Sequence, residues 1–349
     1  MFIVTLYFIK CSANFVKKAQ LYKRNSIYLQ SLNDKKKLYL HVFTNLTYHR
    51  TMHYCFIVNN EPGKSGNADA IRNGIESLKT PIDYEIYLTT AEKSATEFVR
   101  EYCAENPAKE TCFVACGGDG TINEVATGMV GAQNKHLAVL AYGSGNDFIK
   151  YYEGKDFRSI ENLVNGTPHK IDIMKVGQDR YSINVCNFGF DSVVASTANE
   201  LSRKGNKNPY RWGIVKAIFC GRFNRIQVKA DGEELNPGKR MLLCTLGNNN
   251  HVGGEFFCSP RAKNDDGLIE VCYSKTTTLV GFLGMLKVYT LGNHLDDPKV
   301  SKHFIYRQSK TVDVHSDKQI ELCLDGEMLP GTDFHIEMLP GAISFIIPA

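Results

Sequence analysis

Apolar residues follow two rhythms along this chain. From Met52 to about Lys170, short apolar runs alternate with stretches whose apolar positions recur every three or four residues. Residues 53–58 (HYCFIV) read as a buried strand, and Ala68, Ile71, Ile75 and Leu78 then recur at helical spacing. Residues 84–89 read as a second strand, with Ala95, Phe98, Val99 and Tyr102 marking a second helix. Residues 111–116 read as a third strand, with a third helix through Ile122, Val125, Ala126 and Met129. Residues 137–141 read as a fourth. This alternation predicts a parallel sheet with helices on both faces. Ligands of such sheets bind beyond the carboxyl ends of the strands. Three polar, glycine-bearing loops leave those ends, at 59–66, 117–120 and 142–147, so they should gather at one edge.

After Lys170 the rhythm changes. Strand-like runs follow at 171–176, 181–188, 225–230, 240–246, 268–273, 311–315, 319–324, 334–338 and 342–347, with turn residues between them. That pattern predicts an antiparallel sandwich or barrel. One amphipathic segment, 279–291, interrupts it and predicts a helix. The organisation expected is an extension over 1–51, an α/β domain over 52–170 and a β-sandwich domain over 171–349.

Composition narrows the class. The chain has 349 residues, 43% hydrophobic and 22% charged, which excludes a disordered or fibrous protein. No run of 18 apolar residues predicts a transmembrane helix. A net charge of +4 argues against a nucleic-acid partner. The 11 Cys are odd in number, form no CxxC, and mostly sit in apolar runs. They read as small buried hydrophobes in a reducing cytoplasm. Residues 1–9 are apolar, but their lysines come afterwards, unlike a secretory signal. Met52 directly precedes the first strong strand and is an alternative start.

The loop Gly117-Gly118-Asp119-Gly120-Thr121 lies between a strand and a helix. Glycines let backbone N–H groups approach phosphate oxygens, and the helix directs its positive end to the same place. A carboxylate beside phosphate is repulsive unless Mg²⁺ or a transferable proton lies between them. A plain turn also favours Gly and Asp, so the loop alone leaves both readings open.

The segment GGDGTINEV at 117–125 resembles the signature of the diacylglycerol kinase catalytic domain, which bacterial soluble lipid kinases share with sphingosine and ceramide kinases. Five further segments resemble that family in order. They are Asn59-Asn60-Glu61-Pro62-Gly63-Lys64, Gly143-Ser144-Gly145-Asn146-Asp147-Phe148, Gly189-Phe190-Asp191, residues 253–268, and Leu324-Asp325-Gly326-Glu327. Asn60 stands where Pro is usual, and Ser144 where Thr is usual. The resemblance covers roughly Met52 to Pro348. It implies an α/β nucleotide domain joined to a β-sandwich with the active site in the cleft. It also implies ATP and Mg²⁺ as cosubstrates, a lipid alcohol as acceptor at the inner face of the membrane, and a homodimer.

Roles follow from the resemblance residue by residue. Asn59, Gly63, Thr89 and Ser144 would line the nucleotide. Gly117, Gly118, Asp119, Gly120, Thr121, Ile122 and Asn123 would wrap its phosphates. Glu327 would be the general base, with Asp325 and Asp119 supporting the transfer. Asp266 and the carbonyls of Lys263 and Leu268 would hold a structural Mg²⁺. Each has a plainer reading: Thr89, Asn146 and Asp147 as helix caps, Asp325-Gly326 as a hairpin turn, and Asp191 as a buried structural residue. Lys64, Arg203, Lys204, Lys207 and Arg211 would either be a solvated surface or meet anionic lipid. The leading reading is phosphorylation of diacylglycerol. The alternatives are another lipid alcohol and a non-catalytic sensor.

Overall fold

Four parallel strands begin the structure, a computed structural model that describes residues 52–59, 68–90, 94–143, 145–206, 212–213, 216–217 and 224–349. They are β1 (His53–Val58), β2 (Asp83–Leu88), β3 (Thr111–Gly117) and β4 (Lys135–Ala141). They pair in parallel in the order β2-β1-β3-β4. β1 and β3 are buried along their whole length, as inner strands of a covered parallel sheet must be. Three helices cross between them: α1 (Ala68–Glu76), α2 (Ala95–Glu105) and α3 (Asp119–Met129). α2 starts at a capping box in which Ser94 and Glu97 satisfy each other's backbone N–H groups. Ser94, not Thr89, is therefore the helix cap.

A short helix, α4 (Ile160–Val164), leads to β5 (Thr167–Val176), β6 (Arg180–Ser182), β7 (Val185–Gly189) and a helix, α5 (Phe190–Arg203). Then come β8 (Gln227–Ala230), β9 (Glu233–Glu234), β10 (Met241–Gly247), β11 (Ile269–Lys275), α6 (Leu279–Thr290), β12 (Phe304–Ser309), β13 (Thr311–Leu324) and β14 (Glu327–Ile347). These strands pair antiparallel in the order β12-β11-β10-β7-β13-β14.

Several sequence boundaries shift for physical reasons. The run 181–188 is two strands, because the backbone at Ile183–Val185 turns its N–H groups onto the Asp325 carboxylate. Residues 311–324 are one strand with an irregularity between His315 and Ile320. Residues 327–347 are likewise one strand, irregular between Leu339 and Ile343 in its pairing with β5. α5 and β12 are additions that the sequence reading did not place.

β5 and β14 connect two apolar cores. Ile171, Ile173, Ile343 and Phe345 pack with Phe113, Ile122 and Leu137 of the parallel sheet. Further along the same strands, Met174, Val176, Phe334, Ile336 and Met338 pack with Phe188, Leu246 and Tyr273. Phe345 also pairs in parallel with Leu137 of β4, so hydrogen-bonded strands run from one half into the other. Asp172 fastens the crossing: its buried carboxylate accepts N–H bonds from Gly267 and Gly341, each 2.7 Å.

By contact the chain divides into Met1–Thr51 and Met52–Ala349. The first unit lies outside the described residues. Among the described residues no helix is long and apolar enough to cross a membrane. The nine described Cys form no disulfide with one another, and all but Cys103 are buried. Burial raises the thiol pKa of Cys55, Cys112 and Cys116, which leaves them protonated and inert.

Candidate active site

The parallel register aligns the strand ends. Val58 pairs with Leu88 on one side and Cys116 on the other, and Gly117 pairs with Ala141. Asn59, Thr89, Gly118 and Tyr142 therefore leave the sheet side by side. Thr89 N–H donates to Val58 O at 3.0 Å, which closes β2 onto β1. Gly63, Lys64 and Ser144 lie outside the described residues.

Two of the predicted loops meet backbone to backbone. Tyr142 and Gly143 both donate N–H bonds to Gly117 O, at 3.1 and 3.2 Å. A Cβ on Gly143 would run into the Gly118 Cα, so side chains are excluded here by contact. Gly118 is the N-cap of α3 and carries no side-chain cap. The first intrahelical bond is Ile122 N–H to Gly118 O, 3.1 Å. The N–H groups ahead of it, through Thr121, have no acceptor within the helix and are an anion-binding end. Ile122 itself contributes a side chain to the core. Asn123 is buried and donates its amide to Tyr181 O at 3.1 Å, tying α3 to β6. Glu124 of the same motif accepts the N–H of Ala95 at the start of α2.

Carboxylates gather where these loops face the second half. Asp119 Oδ1 accepts Phe148 N–H at 3.0 Å, and so caps the 3-10 turn Phe148–Tyr151. Asp147 makes no such cap. Its carboxylate accepts Gly254 N–H at 3.0 and 3.1 Å and the Lys150 ammonium at 2.7 Å. Lys150 also donates to Gly254 O, which latches the β4 loop to the loop after β10. Asn146 takes a left-handed φ of 50° and donates its amide to Gly143 O. Burial raises the Asp119 pKa, and the nearby Asp147 charge adds to that, against the Phe148 N–H and Lys150.

The turn between β13 and β14 is a two-residue hairpin. Asp325 and Gly326 have φ of 46° and 95°, and Leu324 pairs with Glu327 across it. The Asp325 side chain does more than turn. Its oxygens accept the Ser182 hydroxyl at 3.0 Å and the N–H groups of Ile183, Asn184 and Val185, the shortest at 2.8 Å. Burial pushes its pKa up to about 7 even though these donors favour the ionised form. Glu327 begins β14, is exposed, and is not among the residues lining the cleft described next.

A cleft of about 410 Å³, with carboxylates and amides among its lining residues, joins these parts. Asp119 and Asp147 line it from one half, and Asn184, Asn187 and Asp325 from the other. The side-chain oxygens of Asn184 and Asn187 are buried without a hydrogen-bond partner among the described residues. An apolar chamber of about 700 Å³ adjoins the cleft. Phe190 of α5 and Phe282, Met285 and Tyr289 of α6 wall it, with Leu242 of β10 and Phe304 of β12. The two cavities share Gly145, Val194, Gly253, Gly254 and Phe256.

Sequence reasoning missed the two asparagines, Lys150 and the chamber. Polar residues inside the apolar run 181–188 were the available signal for Asn184 and Asn187. The Asp191 side chain lies outside the described residues, as do Lys207, Arg211 and the side chain of Arg203. Lys204 pairs with Glu200 at 2.6 Å on an exposed helix face.

The loop expected to hold a structural metal is a turn held by its own hydrogen bond. Asp266 is exposed and its Oδ1 accepts Leu268 N–H at 3.1 Å, with Lys263 on the same turn. Asp172, Asp265 and Asp266 lie close enough that the last two help raise the Asp172 pKa, after burial. Among the described residues no group of three or more His, Cys, Asp or Glu side chains is arranged to hold a metal ion.

Comparison with known proteins converges on one kind of chain. Residues 53–176 match the model of the diacylglycerol kinase catalytic domain. Residues 184–347 match that of the YegS C-terminal NAD kinase beta sandwich-like domain. The chain is 28% identical over 298 residues to the "Probable lipid kinase YegS" of Salmonella arizonae, covering 82% of this chain and 94% of that protein. The Salmonella heidelberg protein of the same name matches with the same identity and coverage. Among solved structures, a diacylglycerol kinase from Bacillus anthracis str. Sterne superposes with a TM-score of 0.62 at 18% identity, over 85% of this chain and 97% of that one.

Proposed function

This chain belongs to the lipid kinase family marked by the diacylglycerol kinase catalytic domain, and from that premise we propose that it transfers the γ-phosphoryl group of ATP to the hydroxyl of diacylglycerol, giving phosphatidate. One observation carries the reading: a cleft that holds three carboxylates adjoins a chamber walled by aromatic and aliphatic side chains. A lipid alcohol needs such a pair of neighbours. Its tail leaves water in the chamber while its hydroxyl stays in the cleft, level with the phosphate loop.

The chain's own groups divide the work. Asn59 and Thr89 at the strand ends would contact the nucleotide. The N–H groups of Gly118 to Thr121 would take phosphate oxygens at the positive end of α3. The Asp119 carboxylate and the unpartnered oxygens of Asn184 and Asn187 are hard donors that fit Mg²⁺, which would neutralise phosphate charge during transfer. Asp325 would hold the Ser182–Val185 loop, and with it both asparagines, in place. Glu327, one residue past the Gly326 that lines the cleft, would turn its exposed carboxylate inward to accept the proton of the attacking hydroxyl. The substrate brings the protein to the membrane surface.

The test incubates the protein with labelled ATP, Mg²⁺ and mixed micelles of diacylglycerol, monoacylglycerol, ceramide and sphingosine, and separates the labelled lipids. Labelled phosphatidate is the expected product. Label in another lipid replaces the acceptor and keeps the chemistry. Glu327→Gln should lower turnover by about 10²–10⁴-fold with nucleotide affinity unchanged. Full turnover in that variant removes Glu327 as the base.

A further inference from the structure

Helix α6 is apolar on two faces. Phe282, Met285 and Tyr289 face inward, 4%, 5% and 7% exposed, and wall the chamber. Val280, Leu283 and Leu291 are 81%, 56% and 58% exposed. Their spacing, with the exposed Lys287 between the last two, puts all four on one narrow stripe. The other exposed large apolar residues among those described, Leu88, Tyr142 and Trp212, lie on other segments. An apolar stripe this open calls for a covering surface.

Charge indicates which surface. No Asp or Glu occurs between Glu270 and Asp296. Lys287 lies on the stripe. Lys275, three residues before the helix cap, donates to Lys302 O at 3.0 Å, and both lysines lie near enough to His303 to lower its pKa after burial. A second copy fits poorly. Four residues are far short of the roughly 20–30 per side of a specific interface, and two-fold pairing would bring Lys287 towards its own copy. An anionic bilayer fits both features: apolar side chains enter the headgroup–acyl boundary while lysines meet lipid phosphates.

We infer that the outer face of α6 seats the protein on an anionic membrane surface. The inference rests on the lipid kinase reading and specifies its geometry. The chamber lies directly behind the docked helix, so a lipid tail crosses about one helix diameter, roughly 10 Å, from bilayer to chamber.

The test uses the full chain and vesicles of phosphatidylcholine, with or without phosphatidylglycerol, read by cosedimentation. A separate assay reads phosphorylation of a water-soluble short-chain diacylglycerol without vesicles. The double variant Val280→Asp, Leu283→Asp should lose about a hundredfold in vesicle partition, from the transfer of two aliphatic side chains. It should keep wild-type turnover of the short-chain lipid, which also shows that it folds. Lys287→Ala should lose about fivefold on anionic vesicles and nothing on neutral ones. Wild-type cosedimentation of the double variant overturns the inference, as does failure of the unaltered chain to bind vesicles. A dimer in light scattering that the double variant abolishes also overturns it, and makes the stripe a contact between copies. If the unaltered chain leaves the short-chain lipid unphosphorylated, the substrate reading fails. Folding of the variant is then read by its unfolding transition, and the vesicle difference still supports docking.

Discussion

The cleft and the chamber are neighbours built on opposite principles. The cleft is made by backbone: strand ends in register, two loops in contact at Gly118 and Gly143, and a hairpin whose Asp325 holds a third loop. The chamber is made by side chains drawn from α5, α6, β10 and β12. Backbone contact leaves almost no freedom of sequence, so the cleft is written in short motifs. Apolar side chains exchange for others of similar volume, so the chamber is not. On the proposed function, phosphate handling would be the rigid half of the site and acceptor choice the variable half.

Three substitutions press on that contrast, the largest expected effect first. Gly143→Ala places a methyl group against the Gly118 backbone, where only the loop itself can move. It should abolish detectable nucleotide binding and lower stability by about 3 kcal/mol. An alanine variant that binds ATP normally would break the claim that the cleft is fixed by backbone contact. Met285→Trp fills chamber volume from a side chain that is 5% exposed. It should raise the lipid KM about tenfold at a stability cost of about 1–3 kcal/mol, with nucleotide affinity untouched. A matching change in nucleotide affinity would show that the two halves are not separable.

Asp325→Asn sharpens the comparison from the polar side. The carboxyl pKa is raised by burial to about 7 in the folded protein, above its ordinary value of 3.8. The folded state therefore holds this proton more tightly than the unfolded chain does. Its contribution to stability is present at low pH and declines as pH rises from about 4 through 7. The amide should cost roughly 2 kcal/mol at pH 5, where the carboxyl is protonated, because its hydroxyl oxygen can still accept an N–H of the loop and the Asn NH2 group cannot. Part of the pH slope should disappear with it. Denaturant midpoints at pH 5 and pH 8 for both proteins measure this, and an unchanged slope removes Asp325 as the titrating group.

How far the sequence was legible follows the same division. Gly117–Gly118 and Asp119 stood out because a strand, a sharp turn and a helix leave few residue choices. The parallel strands were readable because burial on both faces gives unbroken apolar runs. The helix α5 was hidden because its first residues also complete a family motif, so no turn signal separated it from β7. Leu279–Thr290 was readable as a helix, but its two apolar faces become distinct only when the inner one is seen against Phe190 and Phe304. A hairpin was the plainer reading of Asp325-Gly326, and the turn has that geometry; its attachment to Ile183–Val185 spans some 140 residues that local pattern does not connect.

β14 carries one more consequence. Phe345 completes the core that Phe113 and Leu137 begin, and it comes from the far end of the described chain. On the ribosome, the nucleotide half cannot close as soon as its own residues emerge. It waits, with an open sheet edge at β4, until the strand near residue 345 has left the exit tunnel. Synthesis at about 5–20 residues per second makes that interval on the order of ten seconds or more. Throughout it, the half-made protein has an unpaired strand edge, and truncation within β14 would leave both halves incomplete at once.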